Sequence, residues 1–269
     1  MTRRTPEFSL AMFLGRHPAL KAVLRSLPGY PGLARLIHQR PQAVELGPGA
    51  GLRLAFGEST WIQALGMHEE QVQAALVTFA SRGAVFFDVG ANVGFYTVML
   101  ARLVGSRGHV TAFEPLPSNA AMIRRNADLN GLRNISVEET AVSATTGHIA
   151  FREETSGTGH IVSANAESTR NVACIALDTF VARGGPIPTL VKIDVEGHEV
   201  AVIMGMQEIL RVHRPVIIAE MHGRYADFER AVAAFGYRLS VLNVDDPTPA
   251  WGAHILCVPA ETARWPDRE

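Results

Sequence analysis

The sequence predicts an α/β domain built on a doubly wound, mostly parallel sheet. From residue 84 onward, short apolar runs alternate with segments of helical periodicity, the order that produces a parallel sheet covered on both faces. The first apolar run enters a turn bracketed by glycines and then a helix, FFDVGANVGFYTVML. The 269 residues, 47% of them hydrophobic, can bury one large core. We therefore expect one α/β domain with an extension before it.

The extension is expected over residues 1–56. Residues 1–41 carry seven basic side chains against a single acid, and leucines and a valine fall at helical spacing between Pro18 and Pro28. This pattern predicts a short basic helix. Its apolar side can pack on the main domain, and its basic side can contact an anionic membrane or a lipid-linked acceptor. Residues 44–56 predict a hairpin around a Gly-Pro-Gly turn.

The main domain is expected over residues 57–269. Strands are predicted in five apolar runs, AVFFDV, HVTAFE, ISVEETAV, LVKIDV and PVIIAEM. Helices are predicted after all of these except the third, in GFYTVMLARLV, SNAAMIRRNADLN, EVAVIMGMQEIL and YADFERAVAAF. The runs YRLSVL and HILCV are predicted to pair as an antiparallel edge hairpin.

An insert at about residues 143–188 interrupts this alternation. Apolar alternation at HIAF and VACIAL flanks ETSGTGHIVSANAESTR, which is polar and rich in glycine and serine. Long polar loops in a compact domain are usually functional lids or disordered segments. We expect the insert to select the acceptor, with His160 as its candidate contact, although a solvated loop histidine is the commoner case.

The net charge, the cysteines and the lengths of the apolar runs bear on which partners and which compartment the protein has. The formal net charge of −1 argues against a nucleic-acid-binding protein that works through a global positive field. Cys174 and Cys257 lie in separate apolar runs, which favours buried free thiols. No apolar run reaches the about 18 residues of a transmembrane helix, and charges and prolines interrupt the first residues before a signal-peptide core forms. The expected compartment is the cytoplasm.

The glycine-bracketed turn predicts a ligand site. Asp88, Gly90 and Gly94 have the spacing D-x-G-x-x-x-G. Glycines allow a sharp turn and a close ligand, and a helix N-terminus favours negative charge. Glu114 ends the second strand, 20 residues beyond Gly94. A carboxylate there can accept hydrogen bonds from both hydroxyls of a ribose, which predicts an adenosine-like ligand.

Two ligands carry such a ribose, a nicotinamide dinucleotide and S-adenosylmethionine. The dinucleotide fingerprint G-x-G-x-x-G needs a middle glycine because the backbone approaches a pyrophosphate. This turn reads G-A-N-V-G and begins with Asp88. An acid there repels a pyrophosphate but attracts the ammonium group of a methionine moiety. The sequence therefore favours S-adenosylmethionine.

A second group of polar residues follows the fourth and fifth strands. On a strand, Lys192 and Asp194 share one face, and Glu196 continues it if the extended geometry persists. Glu220 and His222 end the neighbouring strand. Together with Asp194, they can hold a hard divalent ion or supply a general base. Lys192 paired with a neighbouring acid is the purely structural alternative.

Three segments, DVGANVGFYT, FEPLPSN and KIDVEGHE, resemble in order and spacing the FkbM family of S-adenosylmethionine-dependent methyltransferases. The resemblance covers roughly residues 55–258. It implies a Rossmann-like seven-stranded sheet with an antiparallel last strand. It also implies O-methylation of a hydroxyl on a sugar, glycolipid or natural product.

The resemblance also implies roles for individual residues. Asp88, Gly90, Asn92 and Gly94 would line the methionine end of the cofactor. Glu114 would bind the ribose, and Ala141 and Val142 would flank the adenine. Asp194 would face the transferable methyl group. The general base is left open, and the candidate catalytic residues are Asp194, His222 and Glu196. Mg²⁺ is a second candidate cofactor, with Asp194 and Glu220 as its candidate ligands.

The predicted function is therefore an S-adenosylmethionine-dependent O-methyltransferase acting on a small-molecule, glycan or glycolipid acceptor. One alternative is a nicotinamide-dependent oxidoreductase, which Asp88 and the missing middle glycine disfavour. The other is a catalytically silent module that binds an adenosyl ligand, which the acid-rich second group disfavours. The oligomeric state cannot be read from the sequence.

Overall fold

The computed structural model of the chain describes residues 41–55, 68–153, 159–161, 169–242 and 252–262. The predicted basic helix between Pro18 and Pro28 lies outside these residues. Within them, no helix is both long and apolar enough to span a bilayer.

The strands are β1 (Gln42–Ala43), β2 (Arg53–Leu54), β3 (Val85–Val89), β4 (His109–Phe113), β5 (Ile135–Glu138), β6 (Ala141–Val142), β7 (Gly147–Glu153), β8 (Gly159–Ile161), β9 (Arg170–Ile175), β10 (Leu190–Ile193), β11 (Val216–Met221), β12 (Tyr237–Val241) and β13 (Ala253–Pro259). The helices are α1 (Glu70–Phe79), α2 (Phe95–Val104), α3 (Pro117–Leu129), α4 (Leu177–Ala182), α5 (Glu199–Met204) and α6 (Tyr225–Ala233), and a π-helical turn covers Ile209–His213.

Seven strands of the described chain form a central sheet in the order β12-β13-β11-β10-β3-β4-β5. β3 is parallel to both of its neighbours, β4 and β10. The strand order reverses between β3 and β10, because β4 and β5 follow on one side of β3 and β10 and β11 on the other. β13 is antiparallel to β11 and to β12. The predicted Rossmann-like sheet with an antiparallel last strand is confirmed.

Consecutive apolar residues of the parallel strands fill both faces of this sheet. Phe86 packs with Met99 and Leu256 on one side, and Phe87 packs with Ile193 and Phe228 on the other. Strands that are buried on both faces have continuous rather than alternating apolar character, as the run AVFFDV has. Because both faces of the sheet are covered, polar side chains can form a site only at the ends of the strands.

The run ISVEETAV does not form one strand as predicted. β5 ends at Glu138, and β6 leaves the central sheet to pair with β9. Within the described residues, β6, β9, β7 and β8 form a second sheet in that order, which we call the inserted sheet. The segment predicted as a polar loop thus contains strands. The apolar alternation at its flanks packs inward, because Phe151, Val172 and Cys174 form one buried cluster.

The predicted helix in EVAVIMGMQEIL is also interrupted. α5 ends at Met204, and a π-helical turn follows only from Ile209. A Cβ atom at Gly205 would lie 2.1 Å from the carbonyl oxygen of Ser143, so the backbone of this segment touches the start of the insert. The helix α1 was not predicted from the sequence.

The predicted N-terminal hairpin forms from β1 and β2, although β1 lies just before residue 44, and it is held by Asn126 of α3 and by Asn130, the residue that follows α3. Asn126 accepts a hydrogen bond from the Ala55 backbone N–H (2.7 Å) and donates to the carbonyl oxygens of Ala55 and Val93 (3.2 and 2.9 Å). Asn130 exchanges hydrogen bonds with the N–H and the carbonyl of Arg53 (2.8 and 2.7 Å). The two asparagines therefore pair with β2 as a neighbouring strand would.

Candidate functional site

Four parallel strands bring acidic residues to one edge of the central sheet. These residues are Asp88 on β3, Glu114 after β4, Asp194 after β10 and Glu220 on β11. The edge holds the carboxyl ends of the strands, where doubly wound sheets bind ligands. Two adjoining cavities open there among the described residues, and they share Gly90, Asn92, Asp194 and Glu196.

The two cavities differ in polarity, and we name each after a residue that lines it alone. The Glu114 cavity is lined mainly by apolar side chains, among them Phe113, Leu116, Val142, Phe151 and Ile161. The Lys192 cavity is lined mainly by polar and charged side chains, among them Glu69, Asp88, Tyr96, Lys192 and Glu220. The first suits a flat, largely apolar group, and the second suits a polar molecule.

The glycine-bracketed turn after β3 is pressed between two strand ends. The N–H groups of Gly90 and Ala91 donate to the Phe113 carbonyl oxygen (3.0 and 3.1 Å). Gly90 has φ +80°, and a Cβ atom there would lie 1.8 Å from the Asp194 carbonyl oxygen. A glycine is therefore required at this position by both conformation and contact.

Glu114 is almost fully buried, with 5% of its surface exposed. The Asn92 N–H donates to its Oε2 (2.8 Å), and the Leu116 N–H donates to its Oε1 (2.9 Å). Burial raises the pKa of Glu114 to about 7 despite these bonds. The Asn119 side chain donates a third hydrogen bond, so about one lone pair of the carboxylate is left for a further donor, such as a ribose hydroxyl.

Lys192 and Asp194 share one face, as predicted. Lys192 is 3% exposed, and its Nζ lies 2.9 Å from Asp194 Oδ2 and 5.0 Å from the centre of the Tyr96 ring. Burial lowers the pKa of Lys192, but the Asp194 and Glu69 carboxylates outweigh it and raise the pKa overall. Asp88 is also buried and accepts a hydrogen bond from Thr97 Oγ1 (2.6 Å). The lysine is therefore a fixed positive charge among carboxylates.

Glu220 lies between two imidazoles. His222 Nε2 is 3.5 Å from Glu220 Oε1, and His254 Nε2 is 3.5 Å from Glu220 Oε2. Burial raises the pKa of Glu220, but contacts with the two histidines outweigh it and lower the pKa to about 2. Burial lowers the pKa of both histidines, but neighbouring carboxylates raise it to about 10 for His222 and about 9 for His254.

His222 is held from a second side by Glu199. Its Nδ1 lies 3.0 Å from Glu199 Oε1, and its Nε2 lies 3.3 Å from Glu196 Oε2. His222 is absent from the described residues that line either cavity, whereas Glu196 lines both. The structure thus places His222 behind the carboxylates of Glu196 and Glu220.

Glu69 and His254 are among the side chains of this site that the sequence analysis missed. Glu69 precedes α1, has φ +49° and accepts a hydrogen bond from the Tyr96 hydroxyl (2.7 Å). His254 lies on β13, directly opposite Glu220, and 3.4 Å from Glu69. A histidine at the start of the buried run HILCV was the one signal for it in the sequence.

The candidate metal ligands come close together. Asp194, Glu220 and His222 each offer a ligand atom within 4.8 Å of the others, and so do Glu69, Glu220 and His254. Carboxylate oxygens and an imidazole nitrogen are suitable ligands for divalent ions.

Of the predicted cofactor residues, all except Gly94 line one or both of the cavities. Ala141 and Val142 line the Glu114 cavity with Glu114 itself, whereas Asp88 lines the Lys192 cavity. Gly94 lies at the start of α2, where a Cβ atom would be 3.0 Å from Ile123. The side chain of His160 lies outside the described part of the chain.

Comparison with known proteins gives further findings. The family described as Methyltransferase FkbM domain matches residues 88–243. Hexuronic acid methyltransferase AglP of Haloferax volcanii is 30% identical over 155 residues, which cover 57% of this chain and 62% of the relative. Protein-L-isoaspartate O-methyltransferase of Methanothrix thermoacetophila is 36% identical over 55 residues, 20% of this chain and 26% of the relative.

Among solved structures, the methyltransferase FkbM from Methylobacillus flagellatus superposes with a TM-score of 0.48 at 16% identity. The match covers 76% of this chain and 56% of that chain. The chain thus spans less than two thirds of the length of each of these three proteins.

Proposed function

The chain belongs to the methyltransferase FkbM domain family, and from this premise we propose that it is an S-adenosylmethionine-dependent O-methyltransferase whose acceptor is a sugar hydroxyl. One observation carries the proposal. A cavity with an apolar wall and a buried carboxylate adjoins a cavity lined mainly by polar side chains, and the two meet at Asp194. This is the arrangement that transfer between an adenosyl donor and a polar acceptor requires.

The residues of the Glu114 cavity fit an adenosyl ligand. Glu114 can accept a ribose hydroxyl, and Ala141 and Val142 offer apolar contact to the base. Asn92 and Gly90, which both cavities share, are placed to bind the methionine portion. The Asp88 carboxylate, in the adjoining cavity, favours the ammonium group of that portion over a pyrophosphate.

The Lys192 cavity supports a sugar as the acceptor. Its carboxylates, Glu69, Asp194 and Glu220, can each accept hydrogen bonds from hydroxyl groups. The name of the Haloferax volcanii relative includes hexuronic acid, which is a sugar derivative. Glycolipids and glycosylated natural products present the same hydroxyls. A basic N-terminal segment that contacts a membrane would suit a glycolipid.

In the proposed reaction, bound S-adenosylmethionine supplies an electrophilic methyl group on a sulfonium. The chain orients the acceptor hydroxyl and takes its proton. Asp194 is our first candidate for the base because it lines both cavities. Glu196 also lines both, and His222 lies behind Glu196 and Glu220, where it can hold them in place.

Substitution tests this assignment. We expect Asp194→Asn to lower turnover by roughly 100-fold or more, the range of a lost general base, while S-adenosylhomocysteine affinity stays within a few-fold. We expect His222→Ala to lower turnover less. Near-normal turnover in both variants, with normal cofactor affinity, would show that neither residue is the base.

A bound divalent ion is an alternative way to activate the acceptor hydroxyl. Mg²⁺ held by Asp194 and Glu220 would lower the pKa of the acceptor hydroxyl. The group of Asp194, Glu220 and His222 supports it, and Glu199 on the other nitrogen of His222 is a usual arrangement for a ligating histidine. Calorimetric titration with Mg²⁺ should then give a heat that Glu220→Gln abolishes. Activity that survives exhaustive chelation would remove the ion from the reaction.

The first experiment on the proposed function is calorimetric titration with S-adenosylhomocysteine, S-adenosylmethionine and NAD⁺. We expect the two adenosyl ligands to bind and NAD⁺ not to bind. Glu114→Ala should weaken binding, whereas Glu139→Ala, which removes an exposed carboxylate paired with Arg124, should not. Binding of NAD⁺ alone would favour an oxidoreductase.

Transfer of a labelled methyl group to a panel of sugars and glycolipids tests the activity itself. We expect at least one hydroxyl-bearing acceptor to be labelled, and Asp194→Asn to reduce the labelling. Tight adenosyl binding without transfer to any acceptor would instead favour a silent binding module.

A further inference from the structure

We propose that the inserted sheet is a cofactor-binding element, in which Phe151 and Ile161 form the apolar wall that contacts the adenine base. The proposal rests on the proposed function, since it assigns one part of the adenosyl site. It replaces the expectation that the insert at about 143–188 selects the acceptor.

The first observation is the register of the hairpin formed by β7 and β8. Phe151 on β7 pairs directly with Ile161 on β8. Both side chains line the Glu114 cavity, and Phe151 is 5% exposed. Two apolar side chains on one face of a hairpin form a flat surface, which suits the face of an aromatic base.

The second observation is how this surface is fixed. Phe151 packs with Leu116 and Ala141 in one buried cluster. Ala141 belongs to β6, which pairs with β9 in the inserted sheet, and both Ala141 and Leu116 line the Glu114 cavity themselves. The wall therefore packs against the cavity residues that follow β4 and β5, which fix its position.

The third observation concerns the other cavity. The described residues that line the Lys192 cavity include none from the insert. The described side chains of the insert that face a cavity, Phe151 and Ile161, face the one that contains Glu114. Their contacts thus fall on the ligand of the Glu114 cavity and not on the ligand of the Lys192 cavity.

The chemistry of the ligand matches this division. A ribose needs hydrogen-bond acceptors, which Glu114 supplies, and a purine base needs contact on its faces. Removing an aromatic side chain that packs on a base weakens binding by roughly tenfold or more. Because the contact is with the base alone, every ligand that carries adenine should lose the same factor.

The test compares Phe151→Ala with Phe151→Tyr and with Val172→Ala in calorimetric titrations with S-adenosylhomocysteine and with adenosine. Val172 is a matched control because it is buried in the same cluster and does not line the Glu114 cavity. We expect Phe151→Ala to weaken both ligands by roughly tenfold or more and by the same factor. Phe151→Tyr keeps the ring and should stay near the wild type, as should Val172→Ala.

Two results would overturn the proposal. Unchanged ligand affinity in Phe151→Ala would show that the ring does not contact the base. An equal loss in Val172→Ala would show that Phe151 acts by stabilising the inserted sheet. Failure of the proposed function looks different: the wild-type protein would either bind neither ligand, or bind both and transfer a methyl group to no acceptor.

Discussion

At the scale of single residues, Glu114 is the group whose ionisation should control ligand binding. Its pKa in the free protein is raised to about 7 by burial. Ribose hydroxyls donate to the ionised form, so a bound adenosyl ligand should lower that pKa. Affinity for S-adenosylhomocysteine should therefore rise as the pH increases from about 6 to about 8, and binding near pH 6 should release a proton.

Calorimetry in two buffers with different heats of ionisation measures this proton directly. Glu114→Gln cannot ionise and should show neither the proton release nor the pH dependence. A wild-type affinity that is constant over this pH range would contradict the prediction.

Gly90 allows a close contact between the turn after β3 and the end of β10. Gly90 and Gly131 both have positive φ, +80° and +65°, but nothing lies within 4 Å of a Cβ atom at Gly131. Gly131→Ala should therefore lower the unfolding free energy by about 1–2 kcal/mol, because alanine is strained only by the left-handed backbone conformation. Gly90→Ala should cost more, because its Cβ would lie 1.8 Å from the Asp194 carbonyl oxygen. Urea unfolding measures both costs, and equal costs would refute the steric argument.

The sequence predicts well those site residues that end a parallel strand. Asp88, Glu114 and Asp194 each stand at or directly after an apolar run, and topology alone brings such ends together. Glu69 comes from a loop and His254 from an antiparallel strand. Their place beside Glu220 depends on three-dimensional packing, for which no local pattern exists.

At the scale of elements, Asn126 of α3 and the next residue after α3, Asn130, donate and accept hydrogen bonds at the backbone of Ala55 and of Arg53 in β2. Asn126 is fully buried and bonded to Ala55 and Val93, whereas Asn130 makes a similar pair of bonds at an exposed position. Asn126→Ala should lower the unfolding free energy by about 2–3 kcal/mol, because it leaves buried backbone groups without partners. Asn130→Ala should cost less than about 1 kcal/mol, since water replaces its bonds.

Denaturant unfolding of both asparagine variants measures this difference. The opposite order of costs would mean that the exposed pair holds the hairpin. The same experiment shows whether the hairpin and the central sheet unfold together, because a second transition would appear if they did not.

Element boundaries were predictable where the apolar period was unbroken and not where the chain changes sheet. The runs that became β3, β10 and β11 are continuous, and the strands lie within them. ISVEETAV has no local sign that β5 ends at Glu138 and that Ala141 starts β6. The change is caused by pairing with β9, about 30 residues later in the chain.

At the scale of the whole molecule, the reactivity of the two cysteines measures how readily each of the two sheets opens. Cys257 lies in the central sheet on β13, and Cys174 lies in the inserted sheet on β9. Both are buried, as predicted. The inserted sheet has the smaller core, so it should open without global unfolding, and Cys174 should react with a thiol reagent at least about tenfold faster than Cys257.

Mass spectrometry of the labelled peptides assigns each rate. S-adenosylhomocysteine should slow the modification of Cys174, since a ligand against Phe151 stabilises the closed sheet. Equal rates for the two thiols would mean that both become accessible only through global unfolding.

The position of β13 also has a consequence for synthesis of the protein on the ribosome. β13 is the last strand in the described chain, yet it lies between β11 and β12 and carries the histidine that faces Glu220. A nascent chain in which residues 253–259 have not emerged has no β13 to join β12 to β11. The acidic edge of the sheet is therefore completed only after His254 has emerged, and its carboxylates, Glu69, Asp88, Glu114, Asp194 and Glu220, all leave the exit tunnel before this histidine.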